Sequence, residues 1–287
     1  MKKIVLSLAI IAGLGLSACA PMNQQVTSPT PSSIPTPTPT VVPAKDLNWI
    51  ADKVYKNETS GNPTLLVAWN DREEFASLGI GHFIWYPAGN RGPYTETFPG
   101  LIDYTKAQGV PIPAWLTNRP ARSAPWINKA AFERARNDPE MQQLRSFLQQ
   151  TMNIQANYMS ERLTRALPTM LAQVAPQDRD RVLNNYQAIA KTQRGLYPLL
   201  DYVNFKGEGT SPTERYNGQG WGLLQVLLTM RPVTAGPQAL DEFARAAEEV
   251  LTRRIANSSP ARGEAKWLPG WRNRLNTYRA QALLSAY

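Results

Sequence analysis

Two glutamates stand where a carboxylic acid could do chemistry. Glu58 closes a predicted helix and is followed, after an acidic turn, by Gly79-Ile80-Gly81-His82. Glu208 lies in a glycine-rich stretch that precedes Gly220-Trp221-Gly222-Leu223-Leu224-Gln225. Cleavage of a glycosidic bond needs one acid to protonate the leaving oxygen, and usually a second carboxylate to activate water or attack the sugar. Both glutamates are candidates for that chemistry, although most glutamates at helix ends and in loops are simply solvated.

Glu58 is predicted to be the acid of this pair. The end of an amphipathic helix implies partial burial and lies at the negative end of the helix dipole, and both effects raise the pKa of a carboxyl group. The glycines at positions 79 and 81 suggest a close approach of backbone or ligand within a short strand. We therefore expect Glu58 to be the acid and Glu208 the second carboxylate, while the opposite assignment stays open.

The order of a helix-terminal glutamate and then a hairpin ending in Gly-Ile-Gly-His resembles the catalytic start of phage-type lysozymes. The resemblance covers about 30 of the 287 residues. It implies that Ser77 takes the hydroxyl position of the hairpin and Asp71 the position of the second carboxylate. The stretch between Glu58 and the hairpin is a few residues longer here, so residues 73 and 74, both glutamates, are alternatives to Asp71. His82 is expected to hydrogen-bond across the hairpin near the acid, and Ser77 and His82 are both predicted to lie at the substrate.

The second motif resembles the Glu…Gly-Leu-Met-Gln pattern of soluble lytic transglycosylases and goose-type lysozymes. Leu224 stands here in place of Met, and the usual Glu-Ser pair is absent. The resemblance implies that Trp221 and Gln225 lie at the substrate. The two motifs leave two arrangements open: one glutamate is catalytic and the other structural, or both line the same cleft.

Other kinds of active site find little support in the sequence. His82 is the only histidine, and no Gly-x-Ser-x-Gly elbow accompanies it, which argues against a serine hydrolase. Cys19 is the only cysteine, so the chain forms no internal disulfide and no site with several thiolates. We therefore expect no metal ion and no organic cofactor.

Aromatic side chains are frequent after Glu58 and support a saccharide partner, because flat rings with polar edges stack on sugars. Trp85 and Tyr86 are the predicted substrate contacts in this region, and Trp221 is the one beside the second motif. Several of the other rings are expected to be core, since large aromatic side chains are usually buried. These others are Trp69, Phe83, Trp115 and Trp126.

The first 44 residues carry the marks of an exported lipoprotein. Lys2 and Lys3 precede an apolar stretch, residues 4–16, that is too short for an ordinary transmembrane helix. Leu-Ser-Ala-Cys, ending at Cys19, resembles a bacterial lipobox, so residues 1–18 are predicted to be a signal peptide and Cys19 the lipidated residue. Ala20 after the cysteine resembles the pattern of an outer-membrane destination facing the periplasm.

Residues 19–44 are predicted to be a tether to the membrane. The stretch after Cys19 is rich in proline and threonine, which favours extended chain and cannot bury a core. Without Lys2 and Lys3, the chain carries 29 basic and 22 acidic residues, a net charge of +7. That charge suits the carboxylate-bearing peptides of a cell wall. Export and the absence of a dense basic block exclude nucleic acid as the expected partner.

The remaining residues, 45–287, are predicted to form one lysozyme-like domain of the α+β class that is mostly α. A helix over 45–57 precedes a small β-hairpin element, with strands over 65–69 and 76–86, and residues 87–127 have no sustained period. Residues 221–230 are expected to be an apolar strand or a buried helix. The later helices are predicted over 129–152, 154–174, 176–193, 196–203, 238–255 and 271–286.

Together these features predict a lipid-anchored enzyme of the cell wall. Its expected reaction is cleavage of the β-1,4 bond between N-acetylmuramic acid and N-acetylglucosamine in peptidoglycan, either by hydrolysis or by lytic transglycosylation. The alternative is a non-catalytic lipoprotein that binds peptidoglycan or organises the envelope while keeping a lysozyme-like fold, because a fold does not guarantee activity.

Overall fold

Apolar residues at helical spacing build most of the structure. The computed structural model describes residues 44–90, 92, 94–118 and 122–285, which all belong to one compact unit. The predicted signal peptide, Cys19 and nearly all of the predicted tether lie outside the described residues. The described part is mostly helical with one small antiparallel sheet, as the sequence predicts, and it contains twelve α-helices.

The sheet has three strands in the order β1-β2-β3, each antiparallel to the next: β1 Val67–Ala68, β2 Ala76–Leu78 and β3 Phe83–Trp85. Val67 pairs with Leu78, and Leu78 pairs with Phe83 on its other side. Because the strand predicted over 76–86 folds back on itself, it becomes two strands. The reversal falls on Gly79-Ile80-Gly81-His82, so this motif is a turn and not the end of a strand.

Glycine is required at the start of this turn. Gly79 has φ +68°, and a Cβ atom there would lie 2.2 Å from Oε1 of Gln155. That side-chain oxygen accepts a hydrogen bond from the backbone N–H of Ile80 at 2.9 Å. His82 also has a positive φ, +45°, which is uncommon for a residue other than glycine. The sequence thus shapes the turn through backbone conformation, and helix α6, which carries Gln155, holds it.

Helix α1 runs from Ala44 to Thr59, which extends the predicted helix by about two residues at its C-terminus. Among the described residues, eleven α-helices follow the sheet. They are α2 Phe98–Ala107, α3 Ala114–Thr117, α4 Lys129–Arg134, α5 Pro139–Gln150, α6 Met152–Ala172, α7 Pro176–Ala190, α8 Leu196–Lys206, α9 Leu223–Thr229, α10 Pro237–Asn257, α11 Leu268–Asn276 and α12 Ala280–Leu284.

Three of the predicted elements differ from the structure. The region 87–127 contains α2 and α3, the helix predicted over 129–152 divides before Pro139, and the last predicted helix divides between α11 and α12. Proline at the first position of α5 explains the second difference, because proline begins a helix more readily than it continues one. Residues 223–229 are a buried helix, which decides between the two predicted alternatives.

The packing of the helices places the site. Helix α1 packs on α6 and α8 through its apolar face, where Ile50 and Val54 are fully buried. Helix α10 packs on α7, α9, α11 and α12, with Leu240 and Phe243 in the core. The ends of α1, α8 and α11 meet, because Glu58 on α1 contacts Asn204 on α8 and Arg274 on α11. None of the described helices combines the length and the apolar character needed to cross a membrane.

Candidate active site

The carboxyl group of Glu58 is buried where three helices and the glycine turn meet. Only 9% of its side chain is exposed. Its Oε1 accepts a hydrogen bond from Nδ2 of Asn204 at 3.0 Å and another from Nη2 of Arg274. Its Oε2 lies 3.4 Å from Nε2 of His82. The predicted proximity of Glu58 and His82 is therefore confirmed, whereas Asn204 and Arg274 come from distant parts of the chain.

Asp201, one turn before Asn204 on α8, is a second buried carboxylate at this site. It is fully buried and accepts hydrogen bonds from Nε and Nη2 of Arg274 at 2.7 and 2.9 Å. The hydroxyl of Tyr278 donates to it at 2.5 Å, and Nδ2 of Asn57 at 3.1 Å. One guanidinium group thus donates hydrogen bonds to two buried carboxyl groups.

The pKa of Glu58 is lowered, contrary to the prediction from sequence. Burial raises the pKa of this carboxyl, but the charge of Arg274, the neighbouring His82 and the hydrogen bonds from Arg274 and Asn204 together outweigh burial. Burial has the predicted effect, but the stronger opposing effect of Arg274, His82 and Asn204 depends on residues that the local sequence does not bring together. Glu58 is consequently ionised at neutral pH and holds no proton that it could give to a leaving group.

A cleft of about 740 Å³ lies against this buried group. His82 and Asn204, the two neighbours of Glu58, both line it, so Glu58 lies directly behind its wall. The rest of the lining comes from the glycine turn, β3, the loop before α2, α6, α8, the loop after α8, and α10. The lining residues with ionisable side chains are His82, Tyr94, Arg162, Lys206, Glu208, Glu214 and Arg254.

Glu208 lines this cleft and has the electrostatic setting that was predicted for Glu58. Burial raises the pKa of its carboxyl, and the charge of Arg162 offsets only part of that rise. A half-buried carboxyl with a raised pKa stays protonated to a higher pH than a solvated one, and a proton donor requires this property. The structure thus brings Glu208 to one cleft with His82 and Asn204, the neighbours of Glu58.

The Gly-Leu-Leu-Gln segment holds the loop that carries Glu208. The backbone N–H of Leu224 donates to the carbonyl oxygen of Glu208 at 2.9 Å. Gln225 spans both sides, since its Oε1 accepts from Gly222 N at 3.0 Å and its Nε2 donates to the Gly209 carbonyl at 3.1 Å. Gln225 was predicted to bind substrate, but both ends of its amide are engaged with backbone. It positions Glu208 instead.

Trp221 is the predicted sugar-binding ring that does line the cleft. The ring lies 4.6 Å from that of Tyr216 and 4.1 Å from the guanidinium carbon of Arg254. The backbone carbonyl of Trp221 accepts a hydrogen bond from Tyr202 at 2.8 Å, which fixes the segment to α8. Trp221 is only 7% exposed, so most of its ring is covered by these neighbours.

Asp71 is placed far from a catalytic setting. Its side chain is 91% exposed and pairs with Nζ of Lys129 at 2.5 Å, and that lysine lowers the pKa of the carboxyl. Asp71 does not line the cleft, and neither do the alternatives Glu73 and Glu74. The prediction of a second catalytic carboxylate in this turn is therefore not supported.

Ser77, Trp85 and Tyr86 are structural residues of the sheet region. The hydroxyl of Ser77 donates to Oε2 of Glu73 at 3.3 Å and does not reach the cleft lining. Trp85 and Tyr86 are 2% and 3% exposed. Trp85 packs against Phe98 at 4.7 Å and donates its indole N–H to the backbone carbonyl oxygen of Arg122 at 2.8 Å. Buried rings offer no face to a sugar, and Ser77 lies outside the cleft lining. The structure therefore does not support the prediction that these three residues contact substrate.

Several residues of the site were missed from sequence. Asp201 could have been noticed, because a lone aspartate in the apolar segment Leu-Tyr-Pro-Leu-Leu-Asp-Tyr-Val is unusual and implies a buried partner. Arg274 is 216 positions from Glu58 and carries no local signal. In the described part of the chain, no group of three or more His, Cys, Asp and Glu side chains is arranged to hold a metal ion.

Comparisons with known proteins gave no match. No protein-family model, no curated protein and no solved structure is significantly similar to this chain. The geometry of the site and the sequence motifs are therefore the basis for its function.

Proposed function

We propose that this protein is a peptidoglycan-cleaving glycosidase with a lysozyme-like domain. Its substrate is the β-1,4 bond between N-acetylmuramic acid and N-acetylglucosamine, and Glu208 is the proton donor. The observation that carries the proposal is the position of the Glu208 carboxyl. It is half-buried, its pKa is raised, and it lies in the cleft that His82 and Asn204, the neighbours of Glu58, also line.

The assignment of Glu208 as the acid reverses the preference derived from sequence. A general acid must be protonated at the working pH and must reach the glycosidic oxygen. Glu208 lines the cleft and its pKa is raised, whereas Glu58 lies behind the wall and is held ionised by Arg274. Glu58 then acts through His82 and Asn204, as a buried negative charge that fixes both side chains.

A single acid, Glu208, suffices for lytic transglycosylation, and this mechanism assigns no role to Glu214, which also lines the cleft. Glu208 donates its proton to the glycosidic oxygen as the bond to C1 breaks, and the N-acetylglucosamine unit leaves with a free C4 hydroxyl. The C6 hydroxyl of the muramoyl residue attacks C1, and its proton passes to the Glu208 carboxylate. The acid is regenerated, no water is consumed, and a 1,6-anhydro end forms, so no second carboxylate is required.

The lysozyme-like fold is part of the proposal. It rests on the helix-terminal Glu58 facing a turn with Gly-Ile-Gly-His, in a mostly helical chain with a three-stranded sheet. A phage-type arrangement would place the acid at Glu58, and a transglycosylase arrangement would place it at Glu208. The electrostatics of the two carboxyls support the second.

The proposed location is the periplasmic face of the outer membrane. This location follows from three predicted features of the sequence: the signal peptide over residues 1–18, the lipidated Cys19 and the tether over residues 19–44. Extended chain of about 3.1 Å per residue would let the tether reach on the order of 70 Å from the lipid anchor. The partners are the glycan strands of peptidoglycan and the membrane that holds the anchor, with no role for nucleic acid.

The experiment is incubation of the purified full-length protein with peptidoglycan sacculi, followed by mass spectrometry of the soluble products. Anhydro-muropeptides are expected. Reducing ends would show a hydrolase instead, and would direct attention to Glu214, an exposed acid that also lines the cleft. Co-sedimentation with sacculi and no products would support the non-catalytic binding alternative and overturn the proposal.

Variants assign the acid. Glu208→Gln is expected to reduce product formation by about 100-fold or more, because it removes the proton donor and keeps the shape of the side chain. Asp71→Asn, an exposed carboxylate outside the cleft, is the matched control and should retain activity. Full activity in Glu208→Gln would remove this residue from the mechanism.

A further inference from the structure

Lys206 is a cation in the cleft that the proposed mechanism does not use. It ends α8, two residues before Glu208, and lines the same cleft. Its Nζ lies 3.9 Å from the ring centroid of Phe205 and 4.0 Å from that of Trp271. Within the described part of the chain, this ammonium group forms no ion pair and no hydrogen bond. Its positive charge is in contact with the faces of these two aromatic rings.

The cations around Lys206 are already matched. Arg254 pairs with the buried carboxylate of Glu264 at 2.8 Å, and Arg274 is shared between Glu58 and Asp201. Lys206 adds a further positive charge to this group without a carboxylate of its own. Burial and the charges of Arg254 and Arg274 lower the pKa of Lys206 to about 7, while Glu264 opposes the shift.

An ammonium group in this position can receive an anion that enters the cleft from solvent. An ammonium group held between two rings has lost part of its hydration, so a carboxylate entering the cleft gains a charge-assisted hydrogen bond and relieves the repulsion from the neighbouring guanidinium groups. A neutral sugar hydroxyl would gain much less. The rings of Phe205 and Trp271 fix the position of the ammonium group, which reduces the entropy lost on binding.

We propose that Lys206 binds a carboxylate of the muramic acid unit, either on its lactyl group or on the attached peptide, and so selects peptidoglycan over neutral N-acetylglucosamine polymers. The identity of this ligand rests on the proposed function. The existence of an anion-binding position beside Glu208 rests on the geometry alone.

The test is calorimetric titration in the Glu208→Gln background, which removes both cleavage and the Glu208 proton. The ligands are a peptidoglycan tetrasaccharide with stem peptides, the same tetrasaccharide with free lactyl groups, and neutral chitotetraose. We expect a carboxylate ligand to bind about tenfold more tightly than chitotetraose. Of the two acidic ligands, the one that binds more tightly identifies which carboxylate Lys206 contacts.

Adding Lys206→Met should abolish this preference while leaving the affinity for chitotetraose unchanged. Methionine keeps an unbranched stem between the two rings. The matched control is Lys191→Met, which removes a lysine from a separate groove beside α7 and should leave the preference intact. Equal affinities for acidic and neutral ligands before the Lys206 change, or a preference that survives it, would overturn the proposal.

Proton uptake gives a second measurement that needs no lysine variant. At pH 8 a carboxylate ligand should draw a proton onto Lys206, up to about one per ligand, and chitotetraose should draw none. Titrations in buffers with different ionisation enthalpies report this number. Because His82 lines the same cleft, its contribution is separated by repeating the titration in His82→Gln. Tight acidic binding without proton uptake would also overturn the proposal.

The two proposals fail separately. If sacculi yield no products but the acidic ligands bind through Lys206, the enzyme proposal falls and the anion site remains. If sacculi are cut and both kinds of tetrasaccharide bind equally, the activity remains and the role of Lys206 is wrong.

Discussion

Glu58 and Asp201 accept hydrogen bonds from the same guanidinium group, that of Arg274. Both carboxylates are buried, so neither can be satisfied by bulk water. Burial raises the pKa of Glu58, but the charges of Arg274 and His82 and the hydrogen bonds from Arg274 and Asn204 outweigh burial, so Glu58 is a charged part of the wall and not a proton donor.

Removing this guanidinium should be strongly destabilising. Arg274→Met leaves two buried carboxylates without their counter-charge, which typically costs about 3–5 kcal/mol of unfolding free energy. Arg272→Met is the control, because Arg272 forms an exposed pair with Glu248 whose loss costs about 1 kcal/mol or less. Urea unfolding at pH 7 measures both values, and similar losses in the two variants would contradict the role given to Arg274.

The activity should have an alkaline limit set by Glu208. Since its pKa is raised, the protonated form persists above the ordinary range and is lost as the pH rises through the shifted value. Arg162 lowers this pKa, so Arg162→Gln should raise it further and move the alkaline limb of kcat/KM to higher pH. Rates of anhydro-muropeptide release between pH 4 and 9 test this. A limb that moves to lower pH would show that Glu208 is not the group being titrated.

How much of this fold follows from sequence depends on where the determining contacts lie. Helices α6 and α10 were predicted to within two residues at each end, because their apolar period is local information. The region 87–127 was predicted to be irregular, yet it contains α2. That helix is only ten residues long and its burial depends on packing against the sheet and α6.

The site divides in the same way. The contact between Gln225 and Gly209 in the Glu208 loop spans 16 residues, and the motif spacing drew attention to both segments, although Gln225 was predicted to bind substrate. The pair of Glu58 and Arg274 spans 216 residues, and no pattern near Glu58 announces it. A pKa prediction needs every neighbouring charge, so it failed at Glu58, where the decisive charge is distant in sequence.

Glu264 should make the protein lose stability in acid. Burial raises the pKa of this carboxyl, but hydrogen bonds and charges, chiefly from Arg254 and Tyr216, lower it to about 2, from 4.5. A lowered pKa stabilises the folded state above pH 4.5, and this stabilisation, on the order of 3 kcal/mol, is lost as the pH falls toward 2.

The measurement for Glu264 is the free energy of unfolding in urea between pH 3 and 7. Glu264→Gln should flatten the dependence on pH in this interval, because the substituted side chain does not titrate. Glu133→Gln, an exposed carboxylate paired with Arg136, is the control and should keep the slope of the unchanged protein. If Glu264→Gln also keeps that slope, the acid sensitivity arises at another group.

The last prediction concerns the close packing that holds Glu208. A Cβ atom at Gly222 would lie 2.2 Å from the backbone nitrogen of Gly209. This distance is too short, so one of the two backbone segments would have to move. Gly222→Ala should therefore displace the Glu208 loop and reduce kcat by about tenfold or more, since catalysis depends on positions held to within about 1 Å. Gly270→Ala is the matched control, because a Cβ atom there meets nothing within 4 Å, and we expect normal activity. Rates on sacculi and thermal unfolding of both variants distinguish a displaced loop from a lost fold. Normal kcat in a folded Gly222→Ala variant would show that the segment carrying Gln225 does not position the acid.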